Sequence, residues 1–231
     1  LSCTSTGIED SDPTVDFRGE MRSFVSSISE SARDIQENFV VIPQNGVELV
    51  TDNGEPDGNV VYQYVESIDG IGQENLFFFY FRDDQKTPES ENTWLRSFLD
   101  IFQEENLSVL VTDYCSTRRH VDSSYAWNDD AGYFSYAADS RELNKIPPYP
   151  DPIYNINNHN VNELSQARNF LYLINPEHFS AKEEFITALE ATNYDMVIID
   201  LFFNAAKQFD VNDIRRLRQK VNGGRRHVIC Y

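Results

Sequence analysis

The alternation of strand-like and helix-like segments restricts the fold of this chain more than any other feature. Residues 107–112 form a nearly continuous apolar run, which is typical of a strand buried on both faces of a sheet. Residues 170–174 and 196–199 have the same character, and amphipathic segments with helical spacing separate such runs. Six predicted strands, separated mostly by helices, indicate a parallel α/β architecture.

The charge of the chain argues against two classes of partner. Its 231 residues include 19 Lys and Arg against 38 Asp and Glu, which gives a formal net charge of −19. Nucleic acids and anionic membrane surfaces both require a basic face, so neither is expected as a partner. With 40% hydrophobic residues the composition is that of a globular protein, and no apolar run is long enough to span a bilayer.

The first three residues, Leu1-Ser2-Cys3, look like the end of a bacterial lipoprotein signal, in which small residues precede a cysteine that carries lipid. The rest of the segment 1–16 is polar and acidic, as expected of a tether between an anchor and a domain. The alternative is a chance cysteine at a frayed terminus. The lipoprotein interpretation predicts a protein at the bacterial cell surface or in the periplasm, lipid-anchored or secreted, whose only membrane contact is through a lipid on Cys3.

The other two cysteines, Cys115 and Cys230, follow apolar strand-like runs and are expected to be buried free thiols rather than a disulfide. The sequence has no CxxC motif and no Cys/His cluster, so no metal site is predicted. Residues 70–75 begin like a dinucleotide-binding fingerprint but lack its third glycine, and Glu74 stands where a phosphate would approach. No cofactor is therefore expected.

Polar side chains recur where the predicted strands end. In parallel α/β barrels the active site gathers at the carboxyl ends of the strands, so these side chains are expected to converge there. Carboxylates and amides bind hydroxyl groups, and a pair of carboxylates can act as acid and base on a polyhydroxylated substrate. We therefore predict catalytic roles for Asp200, Glu74 and Asp113, and substrate-binding roles for Gln44, Asn45, Tyr114, Asn175 and Tyr231.

Several of these residues also have a structural interpretation. An aspartate after a strand is often a helix N-cap, which applies to Asp113 and to Asp200 taken singly. Asn45 with Gly46 can be only a turn, and Glu74 can be a partnered structural carboxylate. The repetition of polar residues at strand after strand favours a site over these alternatives.

Residues 116–168 lack strong periodicity and are rich in Tyr, Asn, Asp and Pro. A segment of this length without a regular pattern is typical of a lid or a linker. Its aromatic side chains are candidates for stacking on sugar rings, and equally for packing the segment onto the barrel. The candidates are Tyr125, Trp127, Tyr133, Tyr136, Tyr149 and Tyr154.

Several motifs carry a resemblance to a known family. They lie at 21–25, 39–46, 69–74, 111–114, 169–175, 193–200 and 222–231. Together they resemble a bacterial family of extracellular glycosidases related to the endo-α-1,4-polygalactosaminidases of glycoside hydrolase family 114. The resemblance implies a (β/α)8 TIM barrel, in which the segment 17–115 is similar to strands six to eight and the segment 169–231 to strands one to three. Because the late strands come first here, across the linker 116–168, we expect a permuted and incomplete barrel with about six strands.

The resemblance also implies a function. It predicts a glycoside hydrolase that acts on an extracellular polysaccharide containing amino sugars, without a cofactor. Asp200 would be the acid/base or nucleophile, Glu74 and Asp113 its partners, and Gln44 and Asn45 the groups that orient hydroxyls. The alternative is a surface lipoprotein that binds glycan without cleaving it.

Overall fold

The computed structural model describes residues 15–79 and 81–231, and the expected lipid attachment site Cys3 lies outside them. The helices are α1 Phe17–Ile35, α2 Tyr62–Val65, α3 Glu89–Glu104, α4 Arg118–Asp130, α5 Lys182–Glu190 and α6 Val211–Leu217, with short 3₁₀ helices at Val47–Val50 and Leu164–Gln166. The strands are β1 Gly70–Glu74, β2 Ser108–Tyr114, β3 Phe134–Ala138, β4 Phe170–Tyr172, β5 Met196–Ile199, β6 Phe202–Phe203, β7 Lys207–Gln208 and β8 His227–Cys230.

Two three-stranded parallel sheets form the centre of the molecule. One has the order β1-β2-β3 and the other the order β4-β5-β8, while β6 and β7 form a small antiparallel ribbon. Glu74 pairs with Thr112 at the carboxyl end of the first sheet, and Ile199 pairs with Cys230 at the corresponding end of the second. The predicted parallel α/β class is confirmed.

The segment 39–45 adds a further strand position beside β1. Gln44 forms a parallel bridge with Gly72, the Gly72 amide donates to the Pro43 carbonyl at 2.8 Å, and the Asn45 amide donates to the Gly72 carbonyl at 2.7 Å. With this segment, seven parallel strand positions follow one another in chain order: 39–45, β1, β2, β3, β4, β5 and β8. The sequence pattern gives only six of them.

The missing position is β3, which lies with α4 inside the segment 116–168 that the sequence describes as irregular. The helix has few apolar side chains, and the strand consists of Phe, Ser, Tyr and Ala without a β-branched residue, so neither leaves a strong pattern in the sequence. Beyond them, residues 139–163, all of them described, contain no helix or strand.

The strands curve around a common interior. A narrow cavity of about 50 Å³ lies between the two sheets. Side chains from the first strand position, 39–45, and from the last, β8, both line this cavity. The two sheets therefore curve toward each other. The apolar residues that line it are Ile42, Leu110, Phe170, Ile198 and Ile229. Among the described residues, no strand pairs β8 with the segment 39–45, so no closed barrel is seen.

The hydrophobic core divides into two clusters along the chain. The first is built around β1, β2 and α3, with Ile71, Phe98 and Phe102 fully buried. The second is built around β4, β5 and α5, with Leu171 and Phe185 fully buried. Each cluster therefore draws most of its side chains from one half of the sequence.

Helix α1 carries apolar residues at helical spacing, and three of them, Met21, Phe24 and Ile28, face solvent. Phe24 is 61% exposed, and Met21 and Ile28 are also exposed. Polar contacts hold the helix to the body: Arg22 donates to the Leu49 carbonyl at 2.8 Å, and Arg33 donates to the Asp69 carboxylate at 3.0 Å. These side chains form an apolar surface that no described residue covers.

The two described cysteines are both free. Cys115 is buried as predicted, whereas Cys230 is exposed, so the prediction of burial is wrong for Cys230. It lies at the end of β8, where only one neighbouring strand covers it. In the described part of the chain, no helix is long and apolar enough to cross a membrane.

Candidate active site

Glu74, the last residue of β1, is held by Asn45 from the neighbouring strand position. The Asn45 side-chain amide donates to Glu74 Oε2 at 2.9 Å, and the Glu74 backbone amide donates to Asn45 Oδ1 at 3.1 Å. Asn45 has a φ of 59° and Gly46 a φ of 70°. Asparagine tolerates this left-handed conformation better than most residues. The turn interpretation of Asn45 is therefore correct, and the same turn presents its side chain to Glu74.

Tyr114, the last residue of β2, donates its hydroxyl to Glu74 Oε1 in a short hydrogen bond. Burial, and then the hydrogen bond to Glu74, raise the pKa of Tyr114 well above its ordinary value. The phenol therefore keeps its proton and remains a donor at neutral pH. Together, Asn45 and Tyr114 hold both oxygens of the Glu74 carboxylate.

Two more tyrosines extend this group across the mouth of the interior. The rings of Tyr172 on β4 and Tyr231 after β8 lie 5.7 Å apart. Burial, and then the nearby Tyr231 and Glu74, raise the pKa of Tyr172. Tyr231 is 63% exposed, so its aromatic ring, next to that of Tyr172, is accessible to a ligand.

Arg141 brings a cation to the same region. Its guanidinium carbon lies 4.3 Å from the centre of the Phe79 ring and 5.9 Å from that of Tyr114. Stacking of this kind holds an arginine by a cation–π interaction. Neither Arg141 nor Tyr172 was predicted as a site residue. Side chains alternate between the two faces of a strand, so Phe170 and Tyr172 of β4 lie on the same face. This alternation is the one sequence feature from which Tyr172 could be predicted as a site residue.

Gln44 points into the interior cavity below Glu74. Its Nε2 atom is buried without a hydrogen-bond partner among the described residues. Gly72 makes room for this side chain, since a Cβ atom there would lie 2.1 Å from Gln44 Oε1. Gln44 therefore offers a free donor near the predicted site.

Asp200 stands at the same edge of the sheets, one residue beyond β5. Because Ile199 pairs with Cys230, Asp200 lies next to Tyr231 in register. Its Oδ1 accepts from the Phe202 backbone amide at 2.7 Å, which makes a local turn. Within the described ranges, no hydrogen bond or ion pair joins Asp200 to Glu74.

Asn175 lines an open groove of about 390 Å³ together with Asp200. The Asn175 side-chain amide donates to the Glu142 carbonyl at 2.7 Å, next to Arg141. This contact uses the side chain to anchor the loop that carries Arg141. The structure therefore brings Asn175 close to Asp200 and gives it a tethering role.

The prediction of a catalytic role for Asp113 is wrong, because its side chain is fully buried. It accepts from the backbone amides of Phe77 at 2.8 Å and Phe78 at 3.0 Å, from the Ser124 hydroxyl at 2.6 Å and from the Asn128 amide at 3.2 Å. Burial raises the pKa of Asp113. The carboxylate joins the loop after β1 to helix α4 and has no path to a substrate.

Most aromatic side chains of the segment 116–168 serve packing. Trp127 stacks on Phe78 with ring centres 5.6 Å apart, and Tyr125 stacks on Tyr154 at 4.8 Å. Tyr136 is fully buried against the second core cluster. The packing interpretation of these rings is therefore correct.

A larger groove, of about 410 Å³, lies away from Glu74 between α3 and α4. Lys86 sits over the Trp127 ring there, with Nζ 5.1 Å from the ring centre. None of the eight predicted site residues lines this groove. Its two carboxylates, Glu89 and Asp130, lie at helix ends rather than at the carboxyl ends of the parallel strands, so its size does not make it the candidate site.

The arrangement around Glu74 can bind and move protons on a hydroxylated ligand. The oriented carboxylate accepts protons, the Tyr114 phenol donates one hydrogen bond, and the exposed Tyr231 ring offers a stacking surface. Among the described residues, no group of three or more His, Cys, Asp or Glu side chains is arranged to hold a metal ion. No protein-family model matches the sequence, and no curated protein matches it.

Proposed function

We propose that this protein is a glycoside hydrolase of an extracellular polysaccharide, with Glu74 as a catalytic carboxylate. The observation that carries the proposal is the position of Glu74. It lies at the carboxyl end of a parallel strand with both oxygens held, by Asn45 and by Tyr114. Fixed carboxylates at that edge are the groups that glycoside hydrolysis needs.

Glu74 and Asp200 divide the chemistry in this proposal. A glycoside hydrolase needs one carboxyl group to protonate the leaving oxygen and a second to activate water or attack the sugar. Asp200 is the second carboxylate, because it stands at the same edge next to Tyr231. Tyr114 fixes the direction of the Glu74 carboxylate, and Gln44 lines the cavity below it with its Nε2 atom buried.

A polymer with amino sugars, such as an α-1,4-linked polygalactosamine, is the proposed substrate. The resemblance of the motifs to polygalactosaminidase-related glycosidases supports this choice. The net charge of −19 also favours a cationic polymer. This charge would raise the rate at which the polymer and the protein associate, and it has no part in the bond cleavage itself. A lipid anchor at Cys3 would place the domain at the cell surface, where such polymers occur.

We further infer that the fold is of the (β/α)8 barrel type. Seven parallel strand positions follow each other in chain order, and side chains from the first and the last face one cavity. In a barrel of eight strands, one further position would lie between β8 and the segment 39–45. The permuted order of the family-like motifs is part of the same proposal.

The second candidate function is glycan binding without cleavage. The burial of Asp113 favours it, because one of the three predicted carboxylates is removed from the site. Asp200 also uses one oxygen in a turn. In this interpretation Tyr231 and Gln44 bind the glycan and Glu74 accepts hydrogen bonds from its hydroxyls.

The test is hydrolysis of α-1,4-linked polygalactosamine by the full chain, followed through the release of reducing ends. Glu74→Gln keeps the size of the side chain and should abolish the release. Glu104→Gln, at an exposed glutamate near the end of α3, is the matched control and should leave activity unchanged. Undiminished activity of Glu74→Gln would contradict the catalytic proposal. Calorimetric binding of the polymer with no turnover by the wild type would favour the binding function.

A further inference from the structure

A second cavity lies at the opposite end of the strands from Glu74. It is about 150 Å³ in volume and is formed where β8 begins, against the end of α6 and the loop before the second 3₁₀ helix. Three arginines and one histidine contribute to its wall. The lining residues are Val161, Asn162, Arg218, Arg225, Arg226 and His227.

Arg226 is the buried base of this cavity, with only 2% of its surface exposed. Its two Nη atoms donate to neutral oxygens alone: the Thr192 hydroxyl at 2.7 Å, and the carbonyls of Leu189 at 3.1 Å, Thr192 at 2.7 Å and Gln219 at 2.7 Å. Its Nε atom is buried without a partner among the described residues. Burial lowers the pKa of Arg226 to about 10, so the guanidinium still carries its charge at neutral pH.

A buried cation without a paired anion is unusual, because removing a charge from water is unfavourable unless a partner compensates it. No carboxylate within the described ranges forms an ion pair with Arg226. Arg216, on the neighbouring helix, shows the usual arrangement, since Glu183 and Glu190 both pair with it. The charges of Asp195 and Glu190 act on Arg226, but neither carboxylate forms an ion pair with it, so its Nε–H group still lacks an acceptor among the described residues.

His227 adds a second unpartnered nitrogen to the same wall. Its Nε2 atom is buried and has no hydrogen-bond partner in the described part of the chain. Burial, and then the charge of Arg218, lower the pKa of His227, while a hydrogen bond to the Glu163 backbone acts in the opposite direction. The other ring nitrogen donates to the Glu163 backbone, so Nε2 of the neutral ring is an acceptor that can take a hydrogen bond from a protonated oxygen of a ligand.

Arg218 and Arg225 complete the wall near its opening. Both are exposed, and neither side chain forms an ion pair with a described residue. The chain has 38 acidic and 19 basic residues, so most of its charged side chains are negative. The wall of this cavity is different, because it contains three arginines and no carboxylate. Guanidinium groups present paired N–H donors that match the oxygens of phosphate.

We propose that this cavity is a binding site for an oxyanion of the phosphate class, held by Arg218, Arg225 and Arg226 with His227 as a further partner. Both free phosphate and a phosphate monoester have the required chemistry. The site is independent of the glycosidase proposal, because it lies at the amino ends of the strands, away from Glu74.

The experiment measures the melting temperature of the full chain against inorganic phosphate, with sodium chloride adjusted to keep the ionic strength constant. A ligand that binds only the folded state raises the melting temperature by mass action. The double variant Arg218→Gln/Arg225→Gln leaves the buried Arg226 in place and should weaken phosphate binding at least about tenfold. Arg215→Gln, on the same helix but outside the cavity wall, is the matched control and should bind phosphate as the wild type does.

A second readout follows His227 directly. Addition of phosphate should shift the ¹⁵N resonance of His227 Nε2 in the wild type and in Glu74→Gln, and should leave it in place in the double variant. Glycerol phosphate, tested in parallel, shows whether the site accepts a monoester as well as the free ion. The proposal is overturned if neither probe shifts the resonance, if chloride alone stabilises the protein equally, or if the double variant is stabilised as much as the wild type.

Discussion

Asn45 and Glu74 hold each other through two reciprocal hydrogen bonds, one between their side chains and one from the Glu74 backbone amide to Asn45 Oδ1. The pair joins two adjacent strand positions at the edge where the site is proposed. It fixes the carboxylate without bringing a charge next to it. Positioning of this kind favours catalysis because the geometry is set before the substrate binds.

Removal of the Asn45 amide tests that positioning. We expect Asn45→Gly and Asn45→Ala to reduce kcat for polymer hydrolysis by a similar factor, on the order of tenfold or more. Only Asn45→Ala should also lose stability, by about 1 kcal/mol, because alanine is strained at a φ of 59° whereas glycine is not. Comparison of kcat with the urea midpoint separates the two effects. Retained activity in both variants would remove Asn45 from the site.

The hydroxyl of Tyr114 is expected to matter more for activity than for folding. Tyr114→Phe removes the donor to Glu74 Oε1 and should reduce kcat/KM by about tenfold. Tyr64→Phe is the matched control, since the Tyr64 hydroxyl is buried without a partner among the described residues. That variant should keep full activity and equal or higher stability. A Tyr114→Phe enzyme with wild-type kinetics would contradict the proposed role.

Asp113 and Asp200 should respond in opposite ways to the same substitution. Asp113→Asn removes an acceptor oxygen from a fully buried group that takes four hydrogen bonds, so the free energy of unfolding should fall by about 3 kcal/mol. Its activity per folded molecule should remain. Asp200→Asn keeps the Oδ1 acceptor of the turn and should fold normally while activity is lost. Urea denaturation measures the stability of each variant, and the release of reducing ends measures its activity. The reverse pattern would restore Asp113 to the site.

Asp84 is expected to make stability depend on acid pH. Burial acts to raise the pKa of Asp84. Hydrogen bonds from Thr117, Ser116 and His120 outweigh burial and lower this pKa to about 2. A lowered folded-state pKa stabilises the protein above the unfolded pKa of about 4, and this stability is lost as the pH falls toward 2. Asp84→Asn should therefore be less stable than the wild type at pH 7, by about 1 kcal/mol once solvent screening of this partly exposed carboxylate is allowed for, with a smaller difference near pH 2.

The neighbouring Asp83 provides the control for that measurement, because it is exposed. Asp83→Asn should follow the wild-type stability curve at every pH. If the difference between Asp84→Asn and the wild type did not narrow on acidification, the hydrogen bonds to the α4 terminus would not be the source of the effect.

The exposed apolar surface of α1 predicts self-association. Phe24 and Ile28 present apolar surface without cover among the described residues. Phe24→Glu should shift sedimentation at high protein concentration toward the monomer and leave the melting temperature unchanged. Ser27→Glu adds the same charge at an exposed position of the same helix and should not have this effect. A wild type that stays monomeric at all concentrations would contradict the prediction.

The fold class was predictable because the strong patterns are those of buried parallel strands, and they appear as β2, β4 and β5. The position of Glu74 and Asn45 followed from the rule that sites form at the carboxyl ends of such strands. The error at Asp113 came from treating Thr112, Asp113 and Tyr114 as equivalent. Side chains alternate along a strand, so Thr112 and Tyr114 face the interior and Asp113 must face α4.

Other parts of the site were beyond sequence patterns. Arg141 reaches Tyr114 only because the loop after β3 folds back over the strand ends, and nothing in its neighbours predicts that path. The position of Asp200 was predicted, but its turn with Phe202 depends on the small ribbon that follows β5. Local patterns specify elements, whereas these contacts depend on how loops pack between elements.

The division of the core into two clusters has a consequence for the order of folding. The first cluster takes its members from residues 47–137, and strands and helices that are neighbours in sequence supply its contacts. Structures with such local contacts form quickly, because little chain entropy is lost in closing each loop. On the ribosome, where the N-terminal part emerges first, we expect β1, β2 and α3 to become compact before β4 has been synthesised. The second half would then fold against an existing template.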